Sequence, residues 1–211
     1  RENLIREDIH PSKIFITGNP TFEVLDAFQN NIGSSTIMKK LDLEKNEFIL
    51  VTAHRKENVD DPFSFKSILQ GLGLVYEKFK KEIIYPMHPR TQSKLGNMDI
   101  PKGIRVMNPL GYYDFNKLTK NAFCLVSDSG TSAEEGLYYK VPCVSVRQTT
   151  ERPETVEAGA HIVAGIHPQN IVDSVETIVN NKWIARYDLN GDFEPSTIVI
   201  NTLRSQINNY F

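Results

Sequence analysis

The sequence has 211 residues, of which 40% are hydrophobic, and carries 24 basic and 26 acidic side chains for a formal net charge of -2. This length suits one sizeable core and is short for two full domains. The near-neutral balance excludes the electrostatic footprint of a protein that binds nucleic acid or an anionic membrane. No apolar run approaches the roughly 20 residues of a membrane-spanning helix.

The two cysteines, Cys124 and Cys143, lie in the apolar runs AFCLV and VPCVSV. Buried thiols in neighbouring strands favour a reducing compartment over a disulfide scaffold, so the sequence predicts a cytoplasmic globular protein. The sequence begins at Arg1 rather than at Met, which predicts that it is a piece of a longer chain.

Short apolar, β-branched runs alternate along the chain with longer amphipathic stretches, after a helix-like stretch at residues 1–9. Continuously apolar strands separated by helices indicate a parallel sheet covered on both faces. Right-handed crossovers then give a doubly wound, Rossmann-like α/β layer. The candidate strands are residues 13–17, 48–53, 83–87, 104–107, 123–127, 141–146 and 161–164, and the candidate helices are residues 62–80, 91–95, 115–121, 132–138, 154–157, 169–181 and 196–210.

The Rossmann-like domain is placed at residues 44–190. Residues 1–43 are interpreted as an interdomain linker with a remnant of another half, and residues 191–211 as a helix that packs back. In such a sheet, ligands bind beyond the carboxyl ends of the strands. The residues that directly follow strands are therefore the candidates for function.

Two histidine-containing segments follow strands. His54, Arg55 and Lys56 come after the strand at 48–53, and donors at a strand's carboxyl end suit a phosphate or a leaving group. A solvated loop is the alternative, and spacing alone does not choose between them. His54 lies nearest the strand end and is expected to point into the cleft. The segment from His88 to Arg90 reads by itself as an ordinary turn stiffened by proline.

The segment SDSGTSAEE follows the strand at 123–127 and opens a helix. Gly130 lets the backbone approach a ligand, and Ser129 with the free N–H groups of the helix start can hold an anion. Glu134 and Glu135 both have the spacing of a capping box. We expect Glu134 to cap the helix and Glu135 to face the cleft, where a carboxylate can accept from both hydroxyls of a ribose.

Two further segments come after strands. Arg152 precedes a proline at a loop-to-helix junction, where a guanidinium can fork onto phosphate or sugar oxygens. A surface pair with Glu151 or Glu154 is the alternative reading of that arginine. The segment NPLGYYDF ends at Phe115, whose neighbourhood could wall a base pocket, although aromatic residues more often belong to a core.

Taken together and in order, four segments resemble the signatures of the non-hydrolysing UDP-N-acetylglucosamine 2-epimerases. They are VTAHRKEN, YPMHPR, SDSGTSAEEG and TTERPETVEAG, and the opening NLIRE…KIFITGNP resembles the interdomain stretch of that family. The resemblance covers essentially the whole chain. It implies the C-terminal half of a two-domain, glycosyltransferase-B-like fold.

The resemblance also implies a chemistry. The family interconverts UDP-GlcNAc and UDP-ManNAc without a metal or a nicotinamide cofactor, by anti elimination of UDP to a 2-acetamidoglucal and re-addition with C2 inverted. The carboxylates that move the C2 proton lie in the N-terminal half of the family's fold. The half represented here is therefore expected to bind the UDP-sugar and stabilise the leaving diphosphate, and to be inactive alone.

A homodimer is a further expectation, which the sequence leaves open.

The resemblance implies a role only for residues that match a position in one of the family's motifs. The implied roles are a catalytic histidine near the diphosphate for His54, the diphosphate cradle for Ser129 and Gly130, the ribose ligand for Glu135, a nucleotide-sugar contact for Arg152, a uracil-pocket aromatic for Phe115, and an allosteric UDP-GlcNAc site for Arg55 and His88.

The sequence departs from the family pattern within the nucleotide motif, which reads SGTSAEEGL here. The common form of the nucleotide motif is SGGxQEEAP, whereas Thr131 stands here in place of the second glycine. Similar motifs occur in relatives that act on UDP-2-acetamido-6-deoxy sugars or UDP-diacetamido-uronic acids, so the sugar of the substrate stays open. Two alternatives remain: a UDP-sugar-dependent glycosyltransferase of the same superfold and a non-catalytic UDP-sugar-binding module.

Overall fold

The computed structural model describes residues 1–96, 98–180 and 194–207. The chain divides into two compact units, Phe28–Tyr187 and residues 1–27 with 188–211. Three predictions fall partly outside the described residues: the ends of the helices at 169–181 and 196–210, and the domain boundary at 190/191.

Helices account for most of the elements along the chain. In order they are α1 (Glu2–Arg6), α2 (Pro20–Ala27), α3 (Gln29–Ser34), α4 (Ile37–Lys40), α5 (Lys56–Val59), α6 (Pro62–Phe79), α7 (Pro89–Leu95), α8 (Tyr112–Asn121), α9 (Gly130–Tyr139), α10 (Pro153–Glu157), α11 (Pro168–Asn180) and α12 (Pro195–Ile207).

The larger unit is built on a six-stranded sheet in the order β3-β2-β1-β4-β5-β6, with every neighbouring pair parallel. This is the strand order of a Rossmann fold, and it confirms the predicted doubly wound layer. The strands are β1 (Phe48–Thr52), β2 (Glu82–Pro86), β3 (Ile104–Met107), β4 (Cys124–Ser127), β5 (Cys143–Ser145) and β6 (His161–Val163).

The sheet is covered on both faces because successive side chains of a strand point to opposite sides. Ile49 and Val51 of β1 pack into a core formed with α6 and α11, whereas Phe48 and Leu50 pack into a second core with α8 and α9. Cys124 belongs to the first core and Cys143 to the second, and both are free thiols. Both faces are apolar, so the strands read as unbroken apolar runs.

The longest described helix, α6, shows why these sequences start helices where they do. Asp61 precedes it and accepts hydrogen bonds from the backbone N–H groups of Phe63 and Ser64, at 3.4 and 3.0 Å. Pro62 occupies the first helical position, where a missing N–H costs nothing. The predicted helix at 62–80 is thus confirmed to within one residue.

The described part of the smaller unit contains α1, α2, α12 and a short 3-10 turn at Pro11–Lys13. Ser196, near the start of α12, donates a backbone hydrogen bond of 2.9 Å to Glu23 on α2. The strand predicted at 13–17 is wrong: this segment is not a strand, and Ile16 is 71% exposed. A strand needs a hydrogen-bonding partner, and the described elements of this unit are all helical.

Among the described residues, none of the helices has the length and apolarity that crossing a bilayer requires.

Candidate functional site

The carboxyl ends of parallel strands meet at one edge of the sheet, so the loops that follow them lie side by side. In the larger unit this edge collects the loops after β1, β2, β4 and β5 and the start of α8. The residues predicted for the site lie here: His54 and Arg55 after β1, His88 after β2, Phe115 on α8 after β3, Ser129, Gly130 and Glu135 after β4, and Arg152 after β5.

Asp128 is the buried centre of this edge. Its side chain is fully buried, and its Oδ2 accepts hydrogen bonds from the backbone N–H groups of His54 (2.9 Å) and Arg55 (2.8 Å) and from Asn58 Nδ2 (3.0 Å). Asn58 Nδ2 also donates to the carbonyl of Val146 at 3.0 Å. One carboxylate oxygen therefore fixes the backbone of the loop that carries His54.

Three of the predicted residues share a small pocket. His54, His88 and Phe115 line a cavity of about 210 Å³ between the ends of β1 and β2 and the start of α8, together with Pro109 and Leu110. The His54 side chain is 53% exposed. Its imidazole therefore stands at the rim, available to a ligand, while its backbone is fixed by Asp128.

Arg55 and His88, the residues implied for an allosteric site, have local structural contacts. His88 precedes α7, and its Nδ1 accepts from the backbone N–H of Arg90 at 3.2 Å. Arg55 precedes α5, and its guanidinium lies 3.5 Å from the Glu57 carboxylate. Both residues therefore stand at the start of a helix, and the side-chain atoms named here already make contacts within the protein.

A second group of predicted residues surrounds the start of α9. Ser129 is the N-cap residue but makes no side-chain capping hydrogen bond. A Cβ placed on Gly130 would meet only Arg152 Cγ, at 3.7 Å, which is ordinary van der Waals contact. The fold itself therefore has room for a side chain at Gly130.

The expectation that Glu134 caps this helix is wrong. The helix begins at Gly130, so Glu134 lies beyond its first turn, and its carboxylate instead pairs with Arg152 Nε at 2.6 Å. Because the sequence contains two overlapping capping boxes, the helix was predicted to start about two residues later than it does. The pair joins α9 to the loop after β5 and orients the arginine that the resemblance assigns to the nucleotide-sugar.

Glu135 lies just below this surface and is 5% exposed. Burial raises the pKa of its carboxyl to about 7, an effect that a hydrogen bond from Asn116 opposes and the nearby Glu134 carboxylate reinforces. Asn116 is itself fully buried and donates to the carbonyl of Tyr112 at 3.2 Å. A carboxyl group so placed can change its protonation state near neutral pH.

The loop after β5 contains a second arginine that the sequence analysis did not single out. Arg147 is 8% exposed and forms a two-pronged pair with Glu151, at 2.7 and 2.5 Å. The hydrogen bonds from this guanidinium lower the pKa of Glu151 to about 2. Glu151 is therefore committed to Arg147, and the predicted alternative pairing of Glu151 with Arg152 is not what the structure shows.

The same loop is anchored from below by His161 on β6, which is 2% exposed. The hydroxyl of Thr155 donates its hydrogen to the Arg152 carbonyl (2.7 Å), so it must accept from His161 Nδ1, at 2.9 Å. Nε2 then accepts from the hydroxyl of Ser145 at 2.5 Å. Burial and the charge of Arg147 lower the pKa of His161 to about 4, so the ring is neutral at pH 7.

Sequence reasoning missed these anchors for different reasons. Asp128 did carry a signal, because an acidic residue directly after an apolar strand is rarely buried without partners. Its partners, however, lie 70 to 74 positions away. His161 looked like one more strand residue, and only the tertiary structure places Ser145 and Thr155 against its two nitrogens.

Larger cavities exist away from this edge. One of about 590 Å³ lies between α6 and the segment after α7, lined by Leu69, Leu95 and Met98 among others. It contains none of the predicted residues and lies away from the carboxyl ends of the strands. Position at the strand ends, rather than size, identifies the candidate site.

The fold and the site define a doubly wound α/β unit whose polar residues gather at the carboxyl ends of its strands. A family model described as UDP-N-acetylglucosamine 2-epimerase matches residues 1–193, and the chain belongs to this family.

Individual relatives agree. The UDP-N-acetylglucosamine 2-epimerase of Methanocaldococcus jannaschii is 36% identical over 192 residues, covering 86% of this chain and 52% of that protein. The corresponding Methanococcus maripaludis protein is 34% identical over 213 residues, covering 94% of this chain and 57% of that protein. A crystal structure of the M. jannaschii enzyme in complex with UDP-GlcNAc and UDP superposes with a TM-score of 0.86 at 32% identity, over 97% of this chain and 58% of that one. The chain spans about half the length of the curated relatives it matches.

Proposed function

We propose that this chain is the UDP-binding half of an enzyme that interconverts UDP-GlcNAc and UDP-ManNAc, or a related UDP-2-acetamido sugar, by elimination and re-addition of UDP. The proposal rests on one observation: the residues that match the family's nucleotide motifs lie together at the carboxyl edge of one Rossmann-like sheet. The M. jannaschii relative, whose structure contains UDP-GlcNAc and UDP, supports the same proposal.

The start of α9 suits the diphosphate. The first N–H groups of a helix have no partners within it, and they lie at the positive end of the helix dipole. The side chain of Ser129 is not used as a cap, and Gly130 leaves space that the fold does not need. Arg152, held beside Gly130 by Glu134, adds a cation. Together these groups would stabilise the negative charge that develops on the departing UDP.

The uridine is proposed to lie against α8 and α9. Phe115 lines the pocket that also contains His54, and its ring offers a face for the uracil. Glu135 would accept hydrogen bonds from the ribose hydroxyls. At about 210 Å³ the pocket is smaller than the roughly 300–1,000 Å³ of complete ligand sites. This size fits a half-site whose second wall belongs to another domain.

The division of labour follows from the chemistry. Epimerisation at C2 removes a proton from one face of the sugar and returns one to the other face, so acid and base groups must reach both. Of the carboxylates at the described edge, Asp128, Glu134 and Glu151 are bound by partners, and Glu135 is assigned to the ribose. We therefore assign binding and leaving-group stabilisation to this half and proton transfer to the N-terminal half.

Calorimetric titration of the 211-residue chain with UDP tests the binding proposal. We expect weak binding, which Glu135→Ala weakens further by about 1.5–3 kcal/mol, the usual value of hydrogen bonds to a charged group. The exposed Glu154 provides the matched control, since Glu154→Ala should leave the affinity unchanged. An absence of binding at millimolar UDP would refute the proposal.

Deuterium incorporation at C2 of UDP-GlcNAc in D₂O tests the division of labour. The chain alone should show no exchange, whereas the two-domain protein should show it. Exchange by this chain at a rate near that of the two-domain protein would place the base in this half, with His54 as the first candidate. Exchange by neither would refute the proposed activity while leaving the UDP site intact.

A further inference from the structure

The two oxygens of the Asp128 carboxylate have very different surroundings. Oδ2 accepts three hydrogen bonds, from the backbone N–H groups of His54 and Arg55 and from Asn58. Oδ1 is equally buried but has no hydrogen-bond partner among the described residues. A buried carboxylate oxygen without a donor is costly, so a donor is expected within reach.

The neighbouring donors are already committed elsewhere. The Asn58 amide divides its hydrogens between Asp128 Oδ2 and the Val146 carbonyl. The hydroxyl of Tyr85, which feels the charge of Asp128, donates to the carbonyl of Ala53 at 2.7 Å. The Arg147 guanidinium, also within the field of Asp128, is engaged by Glu151. Asn58 and Tyr85 cannot serve Oδ1 without giving up a bond that they already make, and among the described residues no hydrogen bond from the Arg147 guanidinium reaches it.

The imidazole of His54 is the group that the structure places against Oδ1. Its Nδ1 lies 3.6 Å from Asp128 Oδ1, slightly beyond hydrogen-bond distance, and 3.4 Å from Thr52 Oγ1. The backbone of His54 is already fixed by the other oxygen of the same carboxylate, so a small rotation of the ring closes the gap. Hydrogen bonds of this kind are often long in an empty site and shorten when a ligand binds.

We propose that Asp128 is a positioning residue for His54: its Oδ1 accepts the Nδ1–H of the imidazole, fixes that tautomer and leaves Nε2 to face the ligand. In this arrangement one carboxylate holds both the backbone and the ring of the same histidine. The sequence places the two residues 74 positions apart, at the ends of the neighbouring strands β1 and β4.

The tautomer has a chemical consequence, and this step rests on the proposed UDP site. With Nδ1 protonated, the neutral ring presents the lone pair of Nε2 to the ligand and cannot donate to a diphosphate oxygen. A ring that carries a proton on both nitrogens can donate from Nε2 to the diphosphate while Nδ1–H stays on the Asp128 carboxylate. The hydrogen bond from such a charged donor strengthens with the negative charge on the leaving diphosphate.

Nitrogen-15 NMR of the histidine-labelled 211-residue chain at pH 8 tests the tautomer without any ligand. The ring of His54 is assigned by the signals that vanish in His54→Gln. We expect Nδ1 to be the protonated nitrogen, the reverse of the form that free histidine favours in water. An Nε2-protonated ring in the wild-type chain would overturn the proposal, and this spectrum needs no variant of Asp128.

Asp128→Asn provides the second measurement. The amide oxygen can still accept the three N–H donors, while its NH₂ group now faces Nδ1 and should switch the ring to the Nε2-protonated tautomer. An unchanged tautomer would show that Oδ1 is satisfied by something other than His54, such as a water molecule, and would refute the proposal.

A double-mutant cycle on UDP affinity separates positioning from general structural damage. We expect Asp128→Asn to weaken UDP about 10-fold in the wild-type chain and less than 2-fold in the His54→Gln background. An equal loss in both backgrounds would mean that Asp128 does not act through His54. If neither background binds UDP, the proposed function fails, whereas the tautomer measurement still decides the inference.

Discussion

The loops after β1 and β5 lie on either side of β4, and they are anchored by opposite chemistry. The loop after β1 is held by Asp128, a carboxylate that accepts three N–H donors. The loop after β5 is held through Thr155 by His161, a neutral ring that bridges two hydroxyl groups. The first anchor works through an acceptor oxygen, and the second depends on an imidazole ring that stays neutral. These two loops of the candidate site should therefore respond differently to mutation and to acid.

Removing the carboxylate anchor should have the largest effect. Asp128→Ala leaves two backbone N–H groups and one N–H of the Asn58 amide without an acceptor, and each such loss typically costs about 1–3 kcal/mol. We expect the free energy of unfolding to fall by about 4 kcal/mol, measured by urea denaturation followed by circular dichroism. The exposed Asp173 gives a matched control, because Asp173→Ala should change it by less than about 0.5 kcal/mol. A loss below about 1 kcal/mol for Asp128→Ala would show that the carboxylate anchor does not support the fold.

Removing the neutral anchor should cost somewhat less. At pH 7.5, His161→Phe should lower the free energy of unfolding by about 2–3 kcal/mol, because the buried hydroxyls of Ser145 and Thr155 lose their partner. The matched control is the exposed His167, where His167→Phe should have little effect.

The same variant tests the expected response to acid. The folded pKa of His161, about 4, lies below its ordinary value of 6.5. The unfolded chain therefore binds a proton first, and the contribution of this residue is complete above pH 6.5 and is lost as the pH falls through 4. By this linkage the free energy of unfolding of the wild-type chain falls by up to about 3 kcal/mol on acidification. The difference in stability between the wild-type chain and His161→Phe should therefore close. A gap that stays constant between pH 7.5 and 4 would contradict the assignment of a neutral, buried ring.

Glu135 should respond to pH with the opposite sign. Its folded pKa of about 7 lies above the ordinary value of 4.5, so ionisation opposes folding. Stability from this group is complete below pH 4.5 and is lost as the pH rises through 7. Glu135→Gln should therefore match the wild-type chain at pH 4.5 and exceed it by up to about 3 kcal/mol at pH 8, while binding UDP more weakly. Glu154→Gln, an exposed control, should show no pH-dependent gain, and a flat difference for Glu135→Gln would refute the shift.

Two glycines of α9 should separate the needs of the fold from those of the ligand. A Cβ on Gly136 would lie 2.8 Å from the carbonyl oxygen of Val141, so Gly136→Ala should cost about 2 kcal/mol of stability. A Cβ on Gly130 meets only Arg152 Cγ, at 3.7 Å, so Gly130→Ala should change stability by less than about 0.5 kcal/mol. It should nevertheless weaken UDP binding, because the methyl group occupies the space proposed for the diphosphate. Thermal denaturation and calorimetry on the two variants check both halves of this prediction.

The sequence predicted the sheet well because each buried strand is an unbroken apolar run. Six of the seven predicted strands are confirmed with bounds within two residues. The exception, at 13–17, has strand-like composition but no partner strand among the described residues of its unit. Composition reports which residues favour an extended backbone, and only tertiary structure supplies the neighbour that turns such a segment into a strand.

The candidate site was predicted in part. Its location followed from the rule that ligands bind beyond strand ends, and the order of motifs identified the family. The anchors Asp128 and His161 were not found, because their function depends on contacts between distant segments. The short helices α2 to α5 were also missed, since four to eight residues carry too little periodicity to be recognised.

The placement of the two cysteines on opposite faces of the sheet makes them independent reporters of how the molecule opens. Burial raises the pKa of the Cys143 thiol to about 12 and that of Cys124 well above its usual range, so neither reacts as a thiolate while its layer is closed. The labelling rate of each thiol then measures how often its own layer separates from the sheet. Equal labelling rates would indicate that the larger unit opens cooperatively, whereas unequal rates would identify which layer of helices separates from the sheet first.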